Sequence, residues 1–132
     1  MIPPPIALGL ILCEKVIIEE GTKAATLVST FSKLIEEEFP TPPRNFTAFV
    51  VLTAGHGRGT MDLTVTRLET DAAVFSHRSS VKFPDRLARV RVYYRVNGCS
   101  FPAPGKYLVT LLVDGEWVAH CHLQVLQRSA GS

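Results

Sequence analysis

The fold is indicated most clearly by Gly105-Lys-Tyr-Leu-Val-Thr-Leu-Leu-Val-Asp-Gly-Glu-Trp-Val-Ala-His-Cys-His-Leu-Gln-Val-Leu126. Two runs rich in β-branched and aromatic residues flank Asp114-Gly115, a dipeptide suited to the positive φ angles of a tight hairpin turn. The prolines of the segment 101–105 interrupt regular structure just before the first run. The stretch therefore predicts a β-hairpin of the kind that closes an antiparallel sandwich.

Turn residues separate short apolar runs along the rest of the chain, at the regular spacing that is typical of an all-β sandwich. We therefore predict an all-β fold, a single immunoglobulin-like antiparallel β-sandwich of about eight strands. The expected strands are 6–18, 27–35, 46–54, 60–68, 73–83, 88–97, 106–113 and 117–126.

Residues 24–38 admit a second interpretation. Leu27, Phe31 and Leu34 have the spacing of an apolar stripe on a helix. The serines and threonines between them make a poor helix interior, and the glutamates at 36–38 would oppose a helix dipole. A strand is favoured here, and a helix remains the alternative.

The composition bounds the domain organisation. A length of 132 residues suits one domain, 1–132, with a proline-rich leader at 1–5 and a polar tail at 127–132. The net charge of +2 is too small to imply a polyanionic partner by itself. Residues 78–95 nevertheless contain six bases and a single acid, Asp85, which predicts a basic face.

Several features bear on location. The apolar run at 6–13 has no preceding basic residue and no small-residue cleavage site, so we predict no secretion signal. No apolar stretch approaches the roughly 18 residues of a membrane span. The odd and scattered set Cys13, Cys99 and Cys121 favours reduced thiols. We therefore expect a cytoplasmic protein with no membrane partner.

Alternation predicts which side chains face the core. In the strand 88–97, one face carries the valines and Tyr94, and the other carries the set Arg89, Arg91, Tyr93 and Arg95. In the last strand, the predicted core face is Trp117, Ala119, Cys121, Leu123 and Val125. The other face of that strand would leave His120 and His122 nearer to water.

Three pieces of the chain together resemble a family of uncharacterised bacterial proteins of similar length. They are Leu12-Cys-Glu-Lys-Val-Ile-Ile-Glu-Glu-Gly21, Phe31-Ser-Lys-Leu-Ile35 leading to Phe39-Pro40, and Phe101-Pro-Ala-Pro-Gly-Lys-Tyr107 followed by Leu112-Val-Asp-Gly115. The resemblance implies an immunoglobulin-like sandwich in a bacterial cytoplasm. It implies no function, because a fold hosts many functions.

A second, local resemblance concerns His120-Cys121-His122, which is similar to the copper-ligand segment of multicopper oxidases. In that family a further histidine follows where this chain has Leu126, and the family's paired His-x-His motifs are absent. The favoured interpretation is a core cysteine between two surface histidines. A milder alternative is that His120 and His122 share Zn²⁺ or Ni²⁺ with a neighbour such as His56 or His77.

The set Arg89, Arg91, Tyr93 and Arg95 is the candidate partner-binding face, because arginine forks bind carboxylates or phosphates and tyrosine can stack. The favoured interpretation of this set is nevertheless a solvated sheet face whose charges pair with Asp62 or with N-terminal glutamates. On the small net charge we rank a protein partner first and do not expect nucleic acid.

No catalytic set is recognisable. We find no nucleophile with a base, no paired carboxylates and no Cys-x-x-Cys, and the glycine-rich segment 54–60 is interpreted as a hairpin loop. We predict no catalytic residue and no cofactor. The expected function is a non-enzymatic protein-binding or accessory module that acts through the basic-aromatic face or a sheet edge, where copies could also associate. The alternative is a copper- or zinc-binding domain that uses His120 and His122.

Overall fold

A computed structural model describes residues 4–128, so the predicted leader and tail lie partly outside the described residues. The described chain folds into nine strands and contains no helix. The strands are β1 Ile6–Ile18, β2 Ala25–Phe31, β3 Lys33–Glu36, β4 Arg44–Thr53, β5 Gly57–Arg67, β6 Ala72–Phe83, β7 Val90–Cys99, β8 Gly105–Val113 and β9 Glu116–Gln127.

The strands form two sheets that pack around one core. The four-stranded sheet has the order β2-β1-β4-β7, and the five-stranded sheet has the order β3-β9-β8-β5-β6. Neighbouring strands are antiparallel except for β3 and β9, which run parallel. The all-β prediction is confirmed, although residues 4–128 form nine strands rather than about eight.

The extra strand arises within residues 27–35, which were predicted as one strand. The chain changes sheets at Ser32, whose carbonyl accepts a hydrogen bond from the main-chain N–H of Gln124 at 2.9 Å. Phe31 lies opposite Leu12 in one sheet, and Leu34 lies beside β9 in the other. Both side chains reach the core from opposite sheets. This switch accounts for the three-residue spacing that resembled a helix.

The hairpin predicted at 105–126 is confirmed as β8 and β9. Asp114 has a φ of 51° and Gly115 has a φ of 81°, which matches a type I′ turn with two positive φ angles. The Asp114 carboxylate also accepts a hydrogen bond from the main-chain N–H of Thr60 at 2.9 Å. The two positive φ angles at Asp114-Gly115 are the local turn chemistry on which the prediction of this hairpin rested.

The prediction that Trp117 faces the core is wrong, because its side chain is 56% exposed. Leu111 pairs with Ala119, whereas Leu112 pairs with Trp117, so Val118 is an extra residue in β9. Such a bulge reverses the facing of the residues before it. Val118 consequently packs against the core while Trp117 points outward.

The interior is apolar and contributed by both sheets. Near the start of β8, the Tyr107 hydroxyl donates to the main-chain carbonyl of Ala103 at 2.5 Å, and its ring meets that of Phe101 edge to face at 4.9 Å. The largest fully buried side chains are Tyr107, Phe101, Leu12, Leu52, Leu63, Leu111 and Leu123.

The glycine-rich segment 54–60 is not a hairpin loop. β4 and β5 belong to different sheets and do not pair, so the segment crosses from one sheet to the other. Gly55 lies against the ring of Phe83, where an added Cβ would come within 2.3 Å of ring carbons. The absence of a side chain is therefore required for this crossing. Among residues 4–128 there is no helix with the length and apolar character to cross a membrane.

Candidate binding site

The predicted basic-aromatic face lies along β7. Arg91, Tyr93 and Arg95 project from the outer surface of the four-stranded sheet, and the side chains between them are buried. Arg89 precedes the strand, in the connection from β6. Three of the four predicted residues are therefore brought together on one surface.

The end of the β1–β2 hairpin lies over this surface. After Cys13, β1 no longer pairs with β4, and Nη1 of Arg95 donates to the main-chain carbonyl of Glu14 at 3.0 Å. Nη1 of Arg91 donates to the main-chain carbonyl of Lys23, in the turn of the hairpin, at 2.7 Å. The two guanidinium groups therefore hold the hairpin against the sheet.

Tyr93 is partly covered in the same region. Its ring packs on that of Phe49 with 5.5 Å between centroids, and it is 40% exposed. Lys15 and Val16 of β1 line a cavity of about 350 Å³ beside Tyr93. The face predicted as open is thus partly occupied by the chain itself.

A larger cleft, of about 450 Å³, lies between β6 and β7, where the last strand of one sheet faces the last strand of the other. It is lined by six consecutive residues of β7, 90–95, and by four consecutive residues of β6, 79–82. Alternate side chains of a strand point to opposite faces, so unbroken runs indicate walls formed by main-chain edges. We call this the β6–β7 cleft.

One pair of side chains crosses the β6–β7 cleft. The Tyr94 hydroxyl, from β7, donates to the main-chain carbonyl of His77 at 2.6 Å and lies 2.8 Å from Nδ1 of the same histidine on β6. Burial, followed by the negative charge of Asp62, raises the pKa of Tyr94. The hydroxyl therefore stays protonated at neutral pH and remains a donor.

Positive charge accumulates at one end of the cleft. Lys82 lies directly opposite Arg58 in the β5–β6 register, and like charges in that position destabilise a sheet. Arg86 and Arg89 lie in the connection from β6 to β7, and Arg91 lines the cleft. We call these five residues the basic end. The ion pairs found among residues 4–128 involve none of them.

Sequence reasoning located the bases but not the cleft. Six bases against one acid in 78–95 was the available signal. His77 and Lys82 were not predicted to share a site with β7, because β6 and β7 belong to different sheets. Only the packing of the two sheets brings their edges together.

The two histidines of the metal hypothesis lie on the outer surface of the five-stranded sheet. The ring centroids of His120 and His122 are 5.9 Å apart, and Trp117 meets His120 edge to face at 5.5 Å. His77 lies in the β6–β7 cleft, and His56 lies in the β4–β5 connection. The structure therefore brings two histidines together, but not a third.

Cys121 does not join these histidines. It packs against the core, and burial raises the pKa of its thiol to about 11. Within the described range 4–128, no three His, Cys, Asp or Glu side chains are grouped so that they could hold a metal ion. The resemblance to the copper segment of multicopper oxidases is therefore not shown.

A model of a family of unknown function, DUF6941, matches residues 8–126, and the chain belongs to this family. The resemblance to uncharacterised proteins is thereby confirmed. No match was found among curated proteins.

One of the solved structures similar to the chain is the Pseudomonas fluorescens alkylpurine DNA glycosylase AlkC bound to DNA containing an abasic site analog. The TM-score is 0.46 and the identity is 10%, over 89% of this chain and 30% of the glycosylase chain. This chain thus spans less than a third of that protein's length.

This comparison corrects the partner prediction. The similar structure is a complex with DNA, which contradicts the expectation that nucleic acid is not a partner, and that expectation is withdrawn. A likeness of this degree does not itself assign a ligand to the chain.

Proposed function

We propose that this protein is a non-enzymatic protein-binding or accessory module that holds its partner in the β6–β7 cleft. The observation that carries the proposal is the character of the cleft, which has main-chain walls, the cations Lys82, Arg91 and Arg95, and no Asp or Glu among the described residues that line it. Charge of one sign in a cleft attracts and orients a partner of the opposite sign. A sheet edge offers hydrogen bonds to an extended chain.

The polar groups inside the cleft favour binding over catalysis. Nucleophilic catalysis requires a hydroxyl or thiol activated by a base. His77 lies against the Tyr94 hydroxyl, whose pKa is raised rather than lowered, so this pair does not supply an activated nucleophile. The same contact is suited to a structural link between β6 and β7.

The test compares charge reversal at the basic end of the cleft with charge reversal elsewhere on the surface. Lys82→Glu/Arg89→Glu changes two exposed residues of the basic end whose side chains make no hydrogen bond among residues 4–128. Lys33→Glu/Lys106→Glu makes the same change in net charge on exposed residues of β3 and β8. Both variants should keep the wild-type melting temperature, because surface substitutions of this kind have small effects on stability.

The readout is capture of partners from nuclease-treated extract of the source cells. We expect wild type and the β3/β8 control to retain the same proteins. The Lys82→Glu/Arg89→Glu variant should retain at least about tenfold less of each, since reversed charges at an interface weaken binding. Equal recovery by all three proteins would overturn the proposal. Capture that occurs from untreated extract and disappears after nuclease treatment would mean that the partner is nucleic acid.

A second candidate function is divalent metal binding by His120 and His122. Both imidazoles are exposed on one surface with 5.9 Å between ring centroids. Two rings that bind one Zn²⁺ at about 2.1 Å have centroids roughly 5 Å apart, so small rotations would suffice. Titration of tag-free protein with ZnCl₂ should give one site that is lost in His120→Ala/His122→Ala and kept in His56→Ala. Equal heats from all three proteins would eliminate this function.

We also infer that the sandwich is of the immunoglobulin-like type. The neighbours β1-β4-β7 and β9-β8-β5 match the strand orders A-B-E and G-F-C of that fold, and the Tyr107 hydrogen bond matches its tyrosine corner. The parallel pairing of β3 with β9 is the distinctive part of this assignment. Ile35→Cys/Leu126→Cys, two positions directly opposite each other, should crosslink on mild oxidation, whereas Ile35→Cys/Trp117→Cys should not. The reverse result would contradict the assignment.

We further infer a bacterial, cytoplasmic setting. Cys13, Cys99 and Cys121 are all unpaired, which suits a reducing compartment. Thiol labelling of the protein in its source cells should find all three cysteines reduced, and a disulfide would contradict the inference.

A further inference from the structure

The two strands that border the β6–β7 cleft are unusually long for strands at the edge of a sheet. β6 has 12 residues and β7 has 10, whereas the edge strands on the other side, β2 and β3, have 7 and 4. Natural proteins usually keep edge strands short, because unpaired N–H and C=O groups invite another strand. The long edges are therefore the part of the sandwich best suited to receive one.

The edge of β7 is more available than the edge of β6. Near the middle of β6, the main-chain carbonyl of His77 is already bonded to the Tyr94 hydroxyl. β7 pairs with β4 on one side, and among residues 4–128 no main-chain group of 90–97 bonds to a main chain on the cleft side. An eight-residue stretch of this kind is about 26 Å long, enough for a stable strand pairing.

We infer that β7 accepts an extended acidic segment of a partner protein as a fifth strand of the four-stranded sheet. The inference rests on the proposed function and names the kind of partner. A second main chain satisfies both the free N–H groups and the free C=O groups of β7, which alternate along the edge. A row of phosphate groups could accept from the N–H groups only and would leave the C=O groups of this edge unpaired.

A second copy of this chain is disfavoured at the same edge. Antiparallel pairing of two β7 strands about Tyr93 would place Arg91 of each copy opposite Arg95 of the other. Like charges directly opposite each other destabilise a sheet. In that register the charges disfavour a second copy and favour a strand of opposite charge.

The spacing along β7 defines the complementary pattern. Arg91, Tyr93 and Arg95 occur at every second position on one surface, so a paired strand presents residues i, i+2 and i+4 to them. Carboxylates at i and i+4 would meet the arginines, and an apolar residue at i+2 would meet Tyr93. Each arginine has five N–H donors, so the bond from Arg91 to Lys23 and the bonds from Arg95 to Glu14 and Thr47 leave others free. Beyond these, the basic end draws in further acidic residues.

A synthetic peptide tests the inference directly. The probe is fluorescein-labelled Ser-Thr-Glu-Thr-Val-Thr-Glu-Thr-Ser, with acetylated and amidated ends, and binding is followed by fluorescence anisotropy. Two further peptides carry N-methyl groups on one or the other set of alternate amides. The controls are a peptide with Lys in place of both Glu residues and a nine-nucleotide oligothymidylate.

Strand addition predicts alternating sensitivity to N-methylation. One methylated peptide should bind at least about tenfold more weakly than the parent and the other about as well, because alternate amides of a strand face opposite sides. The Lys peptide should not bind, and Lys82→Glu/Arg89→Glu should weaken the parent peptide while Lys33→Glu/Lys106→Glu does not.

Each contrary outcome is distinct. Equal binding of both methylated peptides would overturn strand addition and leave the cleft as a charged binding site. Oligothymidylate binding without peptide binding would overturn the partner class. Failure of all probes, while extract proteins are still captured through Lys82 and Arg89, would overturn the acidic strand and leave the proposed function standing. Loss of that capture as well would remove the proposed function.

Discussion

The sandwich has two sides along which the edge strands of its sheets face each other. The two sides differ in strand length and in the links between the edge strands. On the closed side, the edge strands β2 and β3 are short and are joined directly through Ser32. On the open side, β6 and β7 are long, and among the described residues the side-chain hydrogen bonds between these strands involve only Tyr94 and His77. The same fold therefore has one side covered by its own chain and one side left with free edges.

The closed side is also tied by side chains. Arg44 of β4 forms a two-pronged ion pair with the buried Glu36 of β3, which links the two sheets. Phe31 of β2 packs edge to face on Phe46 of β4 with 5.6 Å between centroids. Among the described residues, the closed side therefore has an ion pair between the sheets, whereas the open side is the one where we propose that a partner binds.

The largest effect is expected from truncation of the closed-side core. Leu12 is 2% exposed in β1, so Leu12→Ala should lower the free energy of unfolding by about 2 to 5 kcal/mol through lost burial and a cavity. The matched control is Leu87→Ala, on the open side, where Leu87 is 91% exposed and the loss should stay within about 0.5 kcal/mol. Urea unfolding of both variants checks the contrast, and similar losses would erase it.

The closed-side ion pair should matter next. Arg44→Ala leaves the Glu36 carboxylate buried without its partner, and we expect a loss of about 2 to 3 kcal/mol, below the full range for buried pairs because Arg44 is partly exposed. Arg78→Ala removes an exposed guanidinium from its pair with Asp62 on the open side and should cost less than Arg44→Ala, because exposed ion pairs contribute little to stability. Thermal melts of the two variants compare these losses of stability. Equal losses would mean that the Arg44–Glu36 ion pair does not stabilise the closed side.

Alkaline pH should destabilise the protein through two thiols, the half-buried Cys121 on β9 and the buried Cys99 on β7. Burial raises the pKa of Cys121 and of Cys99 to about 11, above the value near 9 of an exposed thiol. The unfolded state therefore releases these protons first, so stability is complete below pH 9 and falls by about 2 kcal/mol per thiol towards pH 11. Unfolding at pH 8 and pH 10.5 should show a smaller fall in Cys99→Ala/Cys121→Ala, and an unchanged fall would contradict the assignment.

The link across the open side should be weak. Tyr94→Phe removes one hydroxyl from between β6 and β7 and should cost about 1 kcal/mol, the net value of one hydrogen bond. Hydrogen exchange should accelerate in β6 and β7 but not in β2 and β3. Tyr93→Phe, whose hydroxyl has no hydrogen bond within residues 4–128, serves as the control. Faster exchange on both sides would mean that the two sides open together.

The smallest effect is expected at Trp117, which belongs to neither side. Because its side chain is 56% exposed, Trp117→Ala should stay within about 1 kcal/mol of wild type, far from the cost of a core tryptophan. Denaturant unfolding of Trp117→Ala and Leu12→Ala, measured side by side, compares the two losses in free energy of unfolding. A loss as large as that of Leu12→Ala would restore the facing predicted from alternation.

Much of the fold was predictable because its signals are local. The hairpin over 105–126 follows from Asp114-Gly115 between two apolar runs, and the facing of Arg91, Tyr93 and Arg95 follows from a period of two. The site was only partly predictable. The arginines were identified, but their bonds to the β1–β2 hairpin and their place beside a cleft were not.

The sequence by itself therefore determined the β-rich character, the last hairpin and the concentration of bases in 78–95, because each depends on residues that are neighbours along the chain. Only the tertiary structure decided that Trp117 points outward, that the chain changes sheets at Ser32, and that β6 and β7 border one cleft. These features depend on register and packing between strands that are distant in sequence. A one-residue change of register reverses the facing of a side chain, and no local pattern encodes which sheet edge remains free.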